Sequence, residues 1–339
     1  MDRFDTPMRP AAHAPAASTL ALALSLAASA AAMLPASAAA QAQAWPAKPV
    51  RVIFPYPPGG GTDAVGRIAT NALTEQLGQT FIVDTRPGAS GQIGTEVASK
   101  SPADGYPLVL GNVAPLAILP ASNPKLPYDP LRDLAPISLI ATSDYILTVH
   151  PSLPVKNLSD LLALAKKRPG ELSFASSGAL GGPHLAGELL NLLGGVNMLH
   201  VPYKGNGPAV VAVLSGEATM LYGTGPAVVP FAQQGRMRIL ATTGLTRTIK
   251  DVPAIAEQIK DFQVTQWYGL LAPAGTPREI VDRLAKETAR AVADPKNAAA
   301  LVKLGADPMT NSPADFRRFI EGEIARYTKV VKAAKLTAQ

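Results

Sequence analysis

Five consecutive residues, Gly59, Gly60, Gly61, Thr62 and Asp63, carry the first chemistry that the sequence offers. They follow an apolar run, Val50-Arg51-Val52-Ile53-Phe54, and a turn stiffened by Pro55, Pro57 and Pro58 around Tyr56. After them Val65, Ile68, Ala69, Ala72, Leu73 and Leu77 recur at helical spacing. A glycine run feeding a helix gathers backbone N–H groups at the positive end of the helix dipole, which is chemistry for holding an anion. Thr62 is placed to cap the helix with its hydroxyl. Asp63 fits two roles, a cap on the same helix or a contact to an ammonium or hydroxyl on a ligand.

Similar loops recur. Ala89, Ser90 and Gly91 lie in a turn-rich stretch after Phe81-Ile82-Val83. Ser176, Ser177 and Gly178 open a glycine-rich loop that ends at His184, and Tyr203, Lys204 and Gly205 form another. Gly223, Thr224 and Gly225 form a further one. By composition each is an ordinary turn. Several precede helices, however, and would face one cleft, where amides and hydroxyls can hold a carboxylate without a buried arginine. Of the 4 histidines, only His184 falls in such a loop; packing, capping and ligand contact all suit it.

Other chemistries fit less well. Gly59-Gly60-Gly61-Thr62-Asp63-Ala64 matches G-x-G-x-x-A, and Asp84 stands where a ribose-binding acid belongs, so a dinucleotide site competes on local pattern. Three prolines before the first glycine, an export signal and the lack of a hydride-transfer site in the second half count against it. No Gly-Lys-Ser/Thr follows, which removes the nucleotide P-loop. No serine lies in a G-x-S-x-G elbow. Histidines and carboxylates are not spaced for metal, and with 0 cysteines disulfides and thiol catalysis are excluded. No cofactor is expected.

The elements that must position these loops follow from the remaining chain. Residues 1–44 carry Arg3 and Arg9, then an alanine- and leucine-rich run, then Ala-x-Ala sites ending at Ala40 and Ala44. That is the order of a secretory signal peptide, and the run is too short and alanine-rich for a membrane anchor. The leader is neutral, so the formal net charge of +6 belongs to the remainder. Its basic clusters, Lys166-Lys167-Arg168 and Arg317-Arg318, read as solvated helix faces, which argues against a nucleic-acid partner. With 47% hydrophobic residues the chain has an adequate core supply.

Strand, loop and helix patterns alternate from Val50 to Gly111, which predicts a mostly parallel sheet with helices on its faces and ligand loops at the strands' carboxyl ends. Residues 112–136, rich in proline, are expected to wrap the surface. Two strands around Thr142-Ser143-Asp144 are expected to cross into a second lobe of the same design, with a return near Tyr268. Pro277, Ser312 and Pro313 mark the starts of the terminal helices. The expected α/β architecture is thus two-lobed: lobe 1 from residues 45–142 and 269–339, lobe 2 from residues 143–268, with the ligand cleft between.

Longer motifs carry a resemblance. Trp45-Pro46-x-Lys48-Pro49-Val50-Arg51, Pro55-Tyr56-Pro57-Pro58-Gly59-Gly60-Gly61-Thr62-Asp63 and Arg86-Pro87-Gly88-Ala89-Ser90-Gly91 resemble the Bug (TctC-like) solute receptors of tripartite tricarboxylate transporters. So do Ala103-Asp104-Gly105-Tyr106, His184-Leu185-Ala186-Gly187-Glu188, His200-Val201-Pro202-Tyr203-Lys204-Gly205 and Trp267-Tyr268-Gly269-Leu270-Leu271-Ala272-Pro273-Ala274-Gly275-Thr276-Pro277. The likeness spans essentially all of the chain after residue 44. It implies a periplasmic binding protein fold of type II-like design and a monomeric, non-enzymatic receptor in the periplasm. Such a receptor closes on a small carboxylate and passes it to large and small membrane subunits. It also implies that the first-lobe loops hold the carboxylate, partly through water, while the second lobe sets selectivity. By position the contacts fall on Tyr56, Gly59 to Asp63, and Ala89, Ser90 and Gly91. In the second lobe they fall on Ser177, Gly178, His184, Tyr203, Lys204 and Thr224. Tyr56 stands where the family usually has Phe, and Ser90 where many members have Gly. An exported enzyme acting on a small acid, which would need a nucleophile–base pair in the cleft, and a sensory receptor are the alternatives.

Overall fold

The apolar run ahead of the glycines is strand β1 (Val50–Phe54), buried at every position except Arg51. In the computed structural model, which describes residues 45–333 with Met8 and Leu336, it lies between two parallel neighbours, β2 (Phe81–Thr85) and β3 (Pro107–Asn112). The signal-peptide reading of residues 1–44 lies, Met8 apart, outside the described residues. Two helices make the crossovers, α1 (Gly61–Leu77) and α2 (Gln92–Ser99). The stripe expected on α1 is real: Val65, Ala69 and Leu73 are buried in one cluster with β1 and β3, and Ala72 is buried beside them. Each fully buried valine or leucine of this kind is worth roughly 1.5–3 kcal/mol against exposure.

Residues 112–136 depart from expectation. Their first third is buried rather than wrapped over the surface: Ala114–Ile118 forms a π-helical turn that runs into α3 (Leu119–Ser122). Pro115 sits in the first turn, where its missing N–H is no loss. Leu116, Ala117 and Ile118 pack into one cluster with Trp267, Phe316 and Ile320. A proline count reads as a loop, but Pro115 and Pro120 belong to a buried helical run.

Strand β4 (Leu134–Val149) is continuous where two strands were expected. The remaining elements are, in order, α4 (Leu158–Lys167), β5 (Ser173–Ser176), α5 (Gly182–Gly194), β6 (Leu199–Pro202) and α6 (Asn206–Leu214). Then come β7 (Met220–Thr224), α7 (Gly225–Gln233), β8 (Arg238–Thr242), β9 (Thr265–Pro273), α8 (Arg278–Ala293), α9 (Pro295–Lys303), β10 (Asp307–Pro308) and α10 (Pro313–Ala333). The strands form a 10-stranded sheet in the order β2-β1-β3-β9-β4-β7-β5-β6, with β8 and β10 also on β4. Thr142, Ser143 and Asp144 stay in register with Trp267, Gln266 and Thr265 of β9, so the polar triplet does not break the strand. Register shifts earlier in β4 bend it instead. Its front half pairs with β9 and its last five residues, Tyr145 to Val149, with β7. The sheet is therefore mixed: parallel at the outer pairs, antiparallel wherever β4 or β9 takes part. β4 divides it into two half-sheets, each with its own apolar clusters.

Most helix starts follow their signals. Asn157 accepts the Asp160 amide ahead of α4, and Ser312 accepts the Asp315 amide in α10. Two differ. Pro277 is the cap residue of α8 rather than its first turn. Thr62 does not cap α1; Gly60 does, and the Thr62 hydroxyl turns inward to accept from Asn112. The unforeseen α9 is capped by Asp294, which accepts the amides of Lys296 and Asn297.

Candidate functional site

The glycine run after β1 ends at the N-terminus of α1. Gly59 has φ +87°, a left-handed turn that glycine takes without a side-chain penalty. Among the described residues no protein acceptor takes the amides of Gly61, Thr62 or Asp63, which leaves three donors and the dipole's positive end together. Asp63 is already engaged. Its carboxylate accepts from the Gly59 amide at 3.2 Å and from Arg67 Nε at 2.8 Å, so it closes the turn back on the helix.

Three groups that the sequence reading missed surround this end. Asn112, at the end of β3, donates to Thr62 Oγ1 at 3.2 Å and accepts from the Ala114 amide at 3.1 Å. Tyr268 of β9 is 1% exposed, and its hydroxyl has no partner among the described residues. That hydroxyl lies 2.5 Å from where a Cβ on Gly61 would be, and Thr224 Oγ1 lies 2.8 Å from the same point. Burial holds the Tyr268 phenol protonated well above the ordinary tyrosine range. Asn206, at the start of α6, donates to Thr224 Oγ1 at 3.3 Å, while its own Oδ1 is buried without a partner. Thr224, from the other half-sheet, is thus brought against the α1 terminus. Asn112 had one legible signal, a polar residue at the carboxyl end of a strand.

Tyr56 acts beneath the site. Its hydroxyl donates to the Ser90 carbonyl at 2.7 Å and lies 3.2 Å from Asn112 Oδ1, tying the second loop to the first. Burial raises its pKa far above the usual value. Ala89, Ser90 and Gly91 form a tight turn with positive φ at all three residues, and a side chain on Gly91 would press on Tyr56 Oη at 3.0 Å. Ser90 Oγ does not face open solvent; it donates to the carbonyl of Ala179, across on the other half-sheet, at 2.6 Å.

On that other side the loop after β5 is held by imidazoles. His184 is buried and accepts the Leu180 amide on Nδ1 at 3.0 Å, which leaves its proton on Nε2, 3.7 Å from Glu188 Oε1. Its ring stacks on His200, centroids 3.8 Å apart. Burial, and then the neighbouring His184, push His200 down to about 4. His184 is therefore a brace for the loop. Ser177 accepts the Gly205 amide on its carbonyl at 3.1 Å, and a Cβ on Gly205 would lie 2.7 Å from Pro57 Cγ, so this loop too meets the first half-sheet. Tyr203 and Lys204 are not drawn in by their side chains. Tyr203 donates to Glu217 at 2.7 Å and packs beside α6, and Lys204 is exposed.

One pair has the form of a nucleophile and base: Ser176 Oγ lies 2.6 Å from His200 Nε2. Ser176 is 1% exposed, however, and its hydroxyl also bonds both the carbonyl and the amide of Gly178. The pair lies under the loop, not at its surface. Among the described residues no group of three or more His, Cys, Asp or Glu side chains could hold a metal.

Comparison with known proteins places this geometry. The profile described as "Tripartite tricarboxylate transporter family receptor" matches residues 65–336. Protein BugT of Bordetella pertussis is 37% identical over 292 residues, covering 85% of this chain and 90% of that one. A solved structure titled "R. palustris Rpa4515 with adipate" is 35% identical, with a TM-score of 0.84 over 86% of this chain and 99% of that one. MatC from Rhodopseudomonas palustris with bound malate is 29% identical, with a TM-score of 0.80 over 85% of this chain and 100% of that one.

Proposed function

The chain belongs to the tripartite tricarboxylate transporter receptor family, and on that premise we propose that it is a periplasmic receptor that captures a small carboxylate between two lobes. Lobe 1 takes residues 45–142 and 269–339, lobe 2 residues 143–268. Delivery is to the large and small membrane subunits of a transporter, by a monomer exported on the signal peptide of residues 1–44. One observation carries the reading: three unengaged amides at the N-terminus of α1 lie at the same helix start as a buried, unpartnered hydroxyl on Tyr268, which approaches Gly61. An anion there satisfies these donors, and each donor left unpaired once a closed cleft excludes water would cost about 1–3 kcal/mol. Adipate and malate in the two related structures are both dicarboxylates, in keeping with a second, cross-cleft group.

Titration calorimetry against mono-, di- and tricarboxylates, adipate and malate among them, tests this. Micromolar or tighter binding of at least one is expected. Binding of a neutral sugar or a cation with no carboxylate bound would overturn it. The Ser176–His200 pair favours a second reading, an exported hydrolase. Its burial and its bonds to Gly178 argue for a structural role.

A further inference from the structure

We propose that Ser90 is a latch across the cleft, a positioning residue that sets how long a ligand stays rather than which ligand fits. The inference rests on the two-sided receptor reading above. Ser90 stands in the turn after β2, and the carbonyl that it grips, Ala179, stands in the loop after β5, so one 2.6 Å hydrogen bond joins the two half-sheets. The hydroxyl is spent on that carbonyl and does not reach a ligand.

The backbone at Ser90 makes the side chain informative. Ser90 has φ +52° and Ala89 φ +46°, the left-handed region where residues other than glycine pay a steric cost. Glycine would sit there freely, but would lack the hydroxyl. A serine kept at such a position gains only what its Oγ does, and Oγ crosses the cleft.

Both ends of the bond are fixed. The Ser90 carbonyl is held by Tyr56. Ala179 is flanked by two restrained residues: the Leu180 amide donates to His184 Nδ1, and the Gly178 amide to Ser176 Oγ, which itself meets His200. The stacked imidazoles therefore brace the acceptor on either side. Gly178 has no side chain to interfere, and a Cβ there would fall 2.8 Å from Ser90 Oγ.

The experiment uses the chain's lack of cysteine. Lys100→Cys and Lys166→Cys, both on exposed surface of opposite half-sheets, take spin labels for distance measurement in the full chain. Ser90→Gly and Ser90→Ala are made in that background. Losing one net hydrogen bond predicts that the closed-to-open ratio without ligand falls about five-fold in both variants. Dissociation of malate or adipate should quicken by about the same factor, with association changed less than about two-fold. Ser90→Gly should unfold no earlier than wild type, which separates the latch from a merely structural role. Unchanged distances and dissociation in both variants overturn the latch. So does a loss confined to association, which would put the hydroxyl on the ligand. If neither malate nor adipate binds, the carboxylate reading is what suffers, and the ligand-free distances still decide the latch.

Discussion

The α1 side of the cleft and the α5 side both present a helix start behind a glycine turn, but they are made in different ways. The α1 side is built from backbone. Its donors are amides, its turn is shaped by Gly59, and the side chains around it, Tyr56, Asp63 and Asn112, hold the main chain in place. The α5 side is built from side chains. Two stacked imidazoles, a buried serine and Glu188 decide where its loop lies. A backbone site suits the part common to many ligands, because an amide cannot be exchanged by substitution. A side-chain scaffold can be retuned residue by residue, which suits the side that discriminates.

The largest effect expected from this comparison falls on Gly61. A Cβ there would lie 2.5 Å from Tyr268 Oη and 2.8 Å from Thr224 Oγ1, whereas at Gly60 the nearest neighbour is Asn206 Cβ at 3.9 Å. Gly61→Ala therefore overpacks the closed cleft at about 1–3 kcal/mol, about 5- to 150-fold in affinity for malate or adipate by calorimetry. Gly60→Ala should cost less than about three-fold, since it meets only ordinary contact. Equal losses from the two would mean that the cleft does not close against the first turn of α1.

That contrast also explains what could be read from the sequence. The strand, the glycine run and the apolar stripe of α1 are local patterns, so the strand-turn-helix unit that carries the proposed anion site was legible. Its supporting cast was not. Asn112 meets Thr62 across 50 positions, and Tyr268 reaches Gly61 only because β9 lies beside β3. The same limit misdirected the reading of Tyr203, whose hydroxyl is claimed by Glu217, and of Thr62, whose hydroxyl serves Asn112 rather than a helix cap. Residues 112–136 failed for another reason: Pro115 and Pro120 look like loop punctuation, but Pro115 stands in the first turn of a helical run and Pro120 lies within it, just after its π-helical turn. His184 was open between ligand and packing, and only its bond to Leu180 separates the two.

A smaller and more selective effect is expected from acid. His200 is held at about 4, below the ordinary value near 6.5, by burial and by His184. As pH falls below about 6.5 the unfolded chain takes up that proton before the folded one does, so stability present above that pH is lost progressively down to about 4. His184 stacks on the same ring and the Glu188 carboxylate acts on it, so the informative quantity is a difference. His200→Gln should show a flatter fall in urea midpoint between pH 7 and 4.5 than wild type. The α1 side has no histidine among the residues that build it, and its amides do not titrate. Hydrogen exchange should accordingly show acid loosening of residues 177–181 before any change at residues 59–63. Simultaneous loosening of both would break the proposed division of labour.

The smallest effect concerns Ser176, and it separates a scaffold from a catalyst. If the α5 side is a side-chain scaffold, the Ser176–His200 bond is one brace among several. Ser176→Ala then removes about 1 kcal/mol of stability, roughly 2 °C in melting temperature for a chain of this size. Affinity for malate or adipate should change by less than about three-fold, because His184 still holds Leu180. A catalytic pair behaves otherwise: the serine would be reached by substrate, and a fluorophosphonate probe would label it. At 1% exposure, with its hydroxyl already shared among His200 and both polar atoms of Gly178, Ser176 has no path to such a probe. Wild type and Ser176→Ala should both stay unlabelled by intact-mass measurement. Stoichiometric labelling lost in Ser176→Ala would instead make the loop a lid over a reactive serine, and the two sides of the cleft would then differ in chemistry as well as in construction.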